Sequence, residues 1–142
     1  MNATIRNFGY PATLIHEFNH WLILLRPAQP TLGSLVLAAK SDATTFADLP
    51  AAAYGELAEV SRAIETVLTA AVGHQKLNYL MLMMVDPHVH YHVIPRYEGA
   101  RTHDGLIFED HGWPKLPELG QVVTLNGAQI ATFTAWLKPL FS

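Results

Sequence analysis

The stretch from Pro87 to Arg96 reads PHVHYHVIPR, and it leaves little choice of local structure. His88, His90 and His92 alternate with Val89, Tyr91 and Val93. Side chains two apart share a face on a β-strand and point apart on a helix. A strand therefore gathers three imidazoles on one side and three apolar groups on the other. The apolar set suits a core. The imidazole set does not, and a chain with only 15% charged residues has little reason to line up three histidines for solubility.

The rest of the chain supplies partners for that strand. Residues 13–25 read as strand, interrupted near Phe18 and Asn19, with Trp21 to Leu25 the stronger half. Pro27 and Pro30 break it. Gly33 to Ala39 is a second short strand, and the two predict a hairpin. Pro50 is expected as the first helical residue, opening a helix to about Val72. Leu57, Val60, Ile64, Val67, Leu68 and Ala71 keep the spacing of one buried face, and Gly73 stops it. Leu77 to Val85 is a strand so apolar that both faces are expected to be covered. Asp86 and Pro87 make a tight connection into a strand over His88 to Pro95. Gly99 to Pro117 reads as irregular. Asn126 caps a last helix, in which Ile130, Phe133, Leu137 and Leu140 form a stripe. This order predicts an α+β fold: an antiparallel sheet of about five strands, one long helix and a C-terminal helix, in a single domain over residues 1–142.

Composition narrows the function. Half of the 142 residues are hydrophobic, which excludes a disordered chain. There is no cysteine, so disulfides, thiolate nucleophiles, zinc ribbons and iron–sulfur clusters are excluded together. Nine basic residues face twelve acidic ones, without a basic stripe, which argues against a nucleic-acid polymer as partner. The longest apolar runs, Trp21 to Leu25 and Tyr79 to Val85, fall far short of the roughly 20 residues that cross a bilayer. The mixed start from Met1 to Tyr10 does not read as a signal peptide, and a cytoplasmic location is expected.

Two chemistries fit the histidine row. One is metal binding, since imidazole suits zinc, nickel or copper. Along a strand His88 and His92 are about 13 Å apart at their Cα atoms, so one ion can take two of the three but hardly all. Further ligands would have to come from His103, His111, Asp86 or Asp104. The other is phosphorus chemistry. Neutral imidazole is a good nucleophile near neutral pH, and flanking imidazoles can donate to phosphate oxygens and to the leaving group. This reading uses all three residues.

HVHYHVI fits His-φ-His-φ-His-φ-φ, the motif of the histidine triad (HIT) proteins, and the chain resembles that family over about residues 13–97. Pro95 and Arg96, the proline-bearing loop, the strand after Gly33, and the long helix before the triad are similar to the family order. The remainder, 98–142, is a C-terminal extension. The pre-triad stretch is short, as in a short-loop bacterial branch. The resemblance implies a nucleotide hydrolase or nucleotidyl transferase that cleaves at a nucleoside α-phosphate through a covalent nucleotidyl-histidine. Phosphoramidates or dinucleoside polyphosphates are the substrate class it implies. His90 is then the nucleophile, and His88 and His92 contact and orient the phosphate. No cofactor and no metal are expected, and a homodimer is. The alternative is a metal- or nucleotide-binding module without turnover. Arg26 stands where many relatives have a ribose-contacting asparagine, and Ser34 where many have a histidine after glycine. With Asn78, which could bond a ribose, and Arg96, which could reach a phosphate, they are the candidate substrate contacts. Structural readings stand beside them: Ser34 as a hairpin residue, Asn78 at a strand edge, Arg96 as an exposed strand end. Trp113 either stacks on a base or covers the sheet or a dimer partner. His16, His20 and His74 read as surface or structural histidines.

Overall fold

The computed structural model describes residues 1–142. In chain order it comprises α1 (Ala3–Asn7), β1 (Leu14–Glu17), β2 (Trp21–Leu25), β3 (Ala28–Gln29), β4 (Leu35–Ala39), α2 (Ala51–Ala71), β5 (Lys76–Leu80), β6 (His90–Arg96), β7 (Ala100–His103), β8 (Leu106–Glu109), β9 (Val123–Thr124) and α3 (Gly127–Leu137). Single 3₁₀ turns occupy Phe46–Asp48 and Lys138–Phe141. The main sheet is antiparallel and five-stranded, in the order β1-β2-β4-β6-β5.

The central pair explains the architecture. WLILL in β2 and LVLAA in β4 are buried throughout, because layers cover both sides of the sheet. Trp21, Ile23, Leu25, Leu35, Leu37 and Val93 share a core with Val60, Ile64 and Leu68 of α2. Fully burying one such side chain contributes about 1.5–3 kcal/mol. The opposite face, Leu22, Leu24, Val36 and Ala38, packs on Ile5 of α1, with Phe8 against its margin. Residues beyond the triad complete the first core: Phe108, Leu125, Phe133 and Leu137 are all buried in it. Asn126 and Gln129 form a reciprocal capping box at the start of α3. The expected stripe on that helix ends at Leu137, because Leu140 lies past it and is 45% exposed.

Four local expectations are corrected. Pro50 is the extended residue before α2 rather than its first helical one, and its carbonyl accepts from the Ala53 N–H at 2.9 Å. The strand expected over Leu77 to Val85 ends at Leu80. Met83 turns the chain out of the sheet with φ of 48°, and Met84 and Val85 are 86% and 91% exposed. An apolar run does not say which of its residues will find a covering layer: past Leu80, Met81 and Met83 still pack on the core, while Leu82, Met84 and Val85 have nothing above them. The last sheet strand begins at His90, so His88 lies before it. The segment read as irregular carries the β7–β8 hairpin, turned at Asp104 and Gly105 with φ of 50° and 75°. Positive φ at both central residues is what a two-residue hairpin turn needs, and Asp-Gly supplies it. The first residues, to which the sequence assigns no element, form α1. Asn2 caps it by accepting from the Ile5 N–H at 3.0 Å, and its amide donates to the carbonyls of Ala39 and Ser41 at the end of β4.

Candidate active site

Register places the histidines. His90 pairs with Ala38 and His92 with Val36, so both imidazoles rise from the face that α1 covers. Their ring centroids are 5.1 Å apart. Phe8 closes over both, at 5.4 Å from His90 and 5.7 Å from His92, leaving them 2% and 8% exposed. Together with Arg26, Asp86 and the bowed residues 82–85, they wall a hollow of about 250 Å³.

Each ring is held by a fixed partner. His90 Nδ1 lies 2.7 Å from the carbonyl oxygen of His88. A carbonyl only accepts, so Nδ1 carries the proton and Nε2 keeps its lone pair. His92 is held the opposite way. The Nε–H of Arg26 donates to His92 Nδ1 at 3.3 Å, which puts the His92 proton on Nε2. One ring thus offers a lone pair and its neighbour a donor. Burial first, then the charge of Arg26 and the proximity of His90, lower the His92 pKa to about 4, so the ring is neutral through the physiological range. Burial also lowers the pKa of Arg26. Arg26 has no carboxylate partner: the ion pairs of the chain are Lys40–Glu17 and Arg96–Asp110. A second N–H of Arg26 goes to the carbonyl of Ala28, and the remaining donors are open to a ligand.

His88 stands apart from His90 and His92. Its ring is not part of the wall of the hollow. Its Nδ1 lies 2.8 Å from Thr4 Oγ1, and its own N–H donates to the same oxygen at 3.2 Å. What it presents to His90 is its backbone carbonyl, and α1 fixes that peptide through Thr4. Ser34 is also absent from the hollow. It is fully buried and donates to the carbonyl of Thr31 at 2.8 Å, while Gln29 accepts from the Gly33 and Ser34 N–H groups. It shapes the proline loop and has no exposed atom for a substrate. Gly33 in that loop has φ of 84°, and a Cβ there would meet Val72 at 2.8 Å, so the turn requires glycine.

Asn78 and Arg96 come together, but outside the hollow. Arg96 is 4% exposed and not a free strand end. Its Nε and Nη2 donate to Asp110 at 2.7 and 3.1 Å, and its Nη1 donates to Asn78 Oδ1 at 2.8 Å. With Trp113 they border a neighbouring groove on the same sheet face. No group of three or more histidine, aspartate or glutamate side chains is arranged to hold a metal ion. His103, considered above as a ligand, stacks on Trp136 at 3.7 Å. The sequence reading missed Phe8, Thr4 and Asp110. No local pattern marks them, because each acts on a residue at least 13 positions away.

The sequence signature of the HIT domain matches residues 8–99. The chain belongs to the HIT family. Proteins of this family are in general nucleotide-binding, with hydrolases and transferases among them. Among curated proteins no sequence matches the chain. Solved structures do. It is similar to a histidine triad protein from Bradyrhizobium japonicum, with a TM-score of 0.74 and 19% identity over 100% of this chain and 97% of that one. A HIT protein from Sinorhizobium meliloti gives a TM-score of 0.74 and 20% identity over 98% and 94%. The Plasmodium falciparum diadenosine triphosphate hydrolase gives a TM-score of 0.65 and 10% identity over 91% and 76%. These likenesses show the HIT fold, and the α+β sheet with its long helix and C-terminal helix is that fold.

Proposed function

We propose that this HIT protein is a nucleotide hydrolase or nucleotidyl transferase that works through a covalent nucleotide on His90. The observation that carries the reading is the pair of opposite tautomers: a lone pair on His90 Nε2 beside an N–H on His92 Nε2. Phosphorus chemistry needs both, a nucleophile that is neutral and a donor that does not compete for the proton.

The His90 Nε2 lone pair attacks the α-phosphorus, and the P–N bond forms as the bond to the departing group breaks. That group leaves with the electron pair and takes its proton from water. The positive charge on the His90 ring is met by the His88 carbonyl at Nδ1–H. His92 Nε2–H and the open donors of Arg26 hold the phosphoryl oxygens, where charge builds up. Water, or another acceptor in a transferase, then attacks phosphorus on the opposite side and loses a proton to solvent. The P–N bond breaks and Nε2 regains its lone pair. Arg26, with no acceptor atom, serves the phosphate better than a ribose hydroxyl that must also donate. The falciparum relative is a diadenosine triphosphate hydrolase. From its class we take dinucleoside polyphosphates as candidate substrates, and from the family resemblance phosphoramidates. A homodimer in the cytoplasm, with no cofactor, belongs to the same proposal. No helix is long and apolar enough to cross a membrane.

The test is to mix protein with a nucleoside phosphoramidate or a dinucleoside triphosphate and quench in alkali, because the P–N bond is labile in acid. Peptide mass spectrometry should find the nucleotidyl group on His90, and His90→Ala should lack it. Turnover with the adduct elsewhere, or turnover in His90→Ala, would reject the assignment. Binding with neither adduct nor turnover would establish the module without catalysis.

A further inference from the structure

The largest hollow of the molecule, about 510 Å³, is not the one around the histidines. It is a groove along β5 and β6, in the size range of small-molecule sites. It begins at Leu80, the register partner of His92, and runs past Asn78, opposite Ile94, to Lys76, opposite Arg96. Partners across a ladder share a face, so the groove continues the surface that carries His90 and His92. From Leu80 to Lys76 it extends about 13 Å.

Its walls have a definite chemistry. Lys76 and Lys115 border it, and neither forms an ion pair. Asn78 accepts from Arg96 with its oxygen, which turns its amide nitrogen loose as a donor. The far wall is Trp113 and Pro114, a flat apolar surface. That wall is anchored, not draped. Asp110, buried against Arg96, also accepts from the Gly112 N–H at 3.2 Å, and its carbonyl accepts from the Trp113 N–H at 3.2 Å. A buried ion pair is seldom the most stabilising solution for such a position, yet here one fixes the groove's wall to its floor. Two unpaired ammonium groups and an amide donor select an anion, and an indole face selects a flat ring.

We propose that this groove is the subsite for the departing half of the substrate, and that it takes an anionic group bearing a planar ring. The assignment rests on His90 acting as proposed above. The hollow of about 250 Å³ contains His90 itself and has room for one half of a substrate, whereas the groove of about 510 Å³ lies beyond His92 on the same face. After the first step the half on His90 must stay while water enters. The half that leaves is therefore the one in the groove, and its exit clears the path for water.

The test compares two substrates with the same nucleoside α-phosphate. In a nucleoside phosphoramidate the departing group is ammonia; in a dinucleoside triphosphate it is a nucleoside diphosphate, anionic and with a flat ring. The ratio of their kcat/KM values reads the groove alone. Replacing two exposed cations in Lys76→Gln/Lys115→Gln should lower the ratio about five- to tenfold in favour of the phosphoramidate. Lys138→Gln, on the far helix end, should leave it unchanged. An unaltered ratio in the double variant overturns the proposal. If neither substrate turns over, a nucleoside diphosphate is titrated into the ¹⁵N-labelled protein. Shifts of the Trp113 indole and Asn78 amide that vanish in the double variant support the groove even though His90 chemistry has failed. Shifts confined to residues around Phe8 and His90 overturn it.

Discussion

Arg26→Met removes a charge and a donor from His92 while keeping an unbranched side chain of similar reach. The size of the effect follows from the structure. The His92 pKa falls from 6.5 to about 4, with burial the largest cause and Arg26 the second. Arg26 therefore accounts for less than half of the fall. In the variant His92 should titrate at a higher pH than in the wild type, and its proton should no longer be fixed on Nε2. Turnover should drop about tenfold to a hundredfold, because a phosphoryl donor and the adjacent cation are both impaired. Stability has a defined sign as well. The unfolded chain protonates this imidazole first, so its contribution is complete above pH 6.5 and is lost as pH falls to about 4. Between pH 7 and pH 5 the wild type should lose about 1–2 kcal/mol through this group, and the variant less. Ring ¹⁵N spectra across a pH titration give the tautomer and the pKa, and urea midpoints give the stability. A His92 titration unmoved from about 4 in Arg26→Met would refute the electrostatic role and leave burial alone responsible.

Two further outcomes test the parts that hold the site. Asp110→Ala leaves the buried guanidinium of Arg96 uncompensated and should cost about 3–5 kcal/mol in urea unfolding; a loss below about 1 kcal/mol would mean that Arg96 reaches solvent. Phe8→Ala opens both imidazoles to water, and since burial is the leading cause of its low pKa, His92 should move from about 4 towards 6.5 in a ring NMR titration; an unchanged value would deny Phe8 its part in excluding water.

Most of the sheet was legible because its strands obey a local rule. The period-two pattern of β6, the apolar runs of β2 and β4 and the break near Phe18 and Asn19 each follow from neighbours in the chain. So do α2, with its three-and-four spacing, its stop at Gly73, and the cap at Asn126. The strand bounds misread at Val85 and at His88 share one cause. Leu82, Met84 and Val85 are as apolar as Leu77, and only the lack of a layer above them separates loop from strand. His88 matches His90 and His92 in spacing, but Thr4, from an element far away in sequence, holds its ring. The Asp104-Gly105 turn is a local signal, but the Gly, Pro and Trp113 around it read as irregular chain.

What the sequence determines by itself is that His90 and His92 share one face of a strand, since alternation is a property of the backbone. Which nitrogen of each ring carries the proton depends on what lies 2.7 Å from one and 3.3 Å from the other. The first partner, the His88 carbonyl, is local, but its aim is set by α1. The second, Arg26, is 66 residues away and reaches His92 only because β2, β4 and β6 lie side by side. Tertiary structure therefore decides the chemistry of the pair: a hydrogen bond and a neighbouring charge act through space over a few ångströms, and the order of residues along the chain does not record that distance.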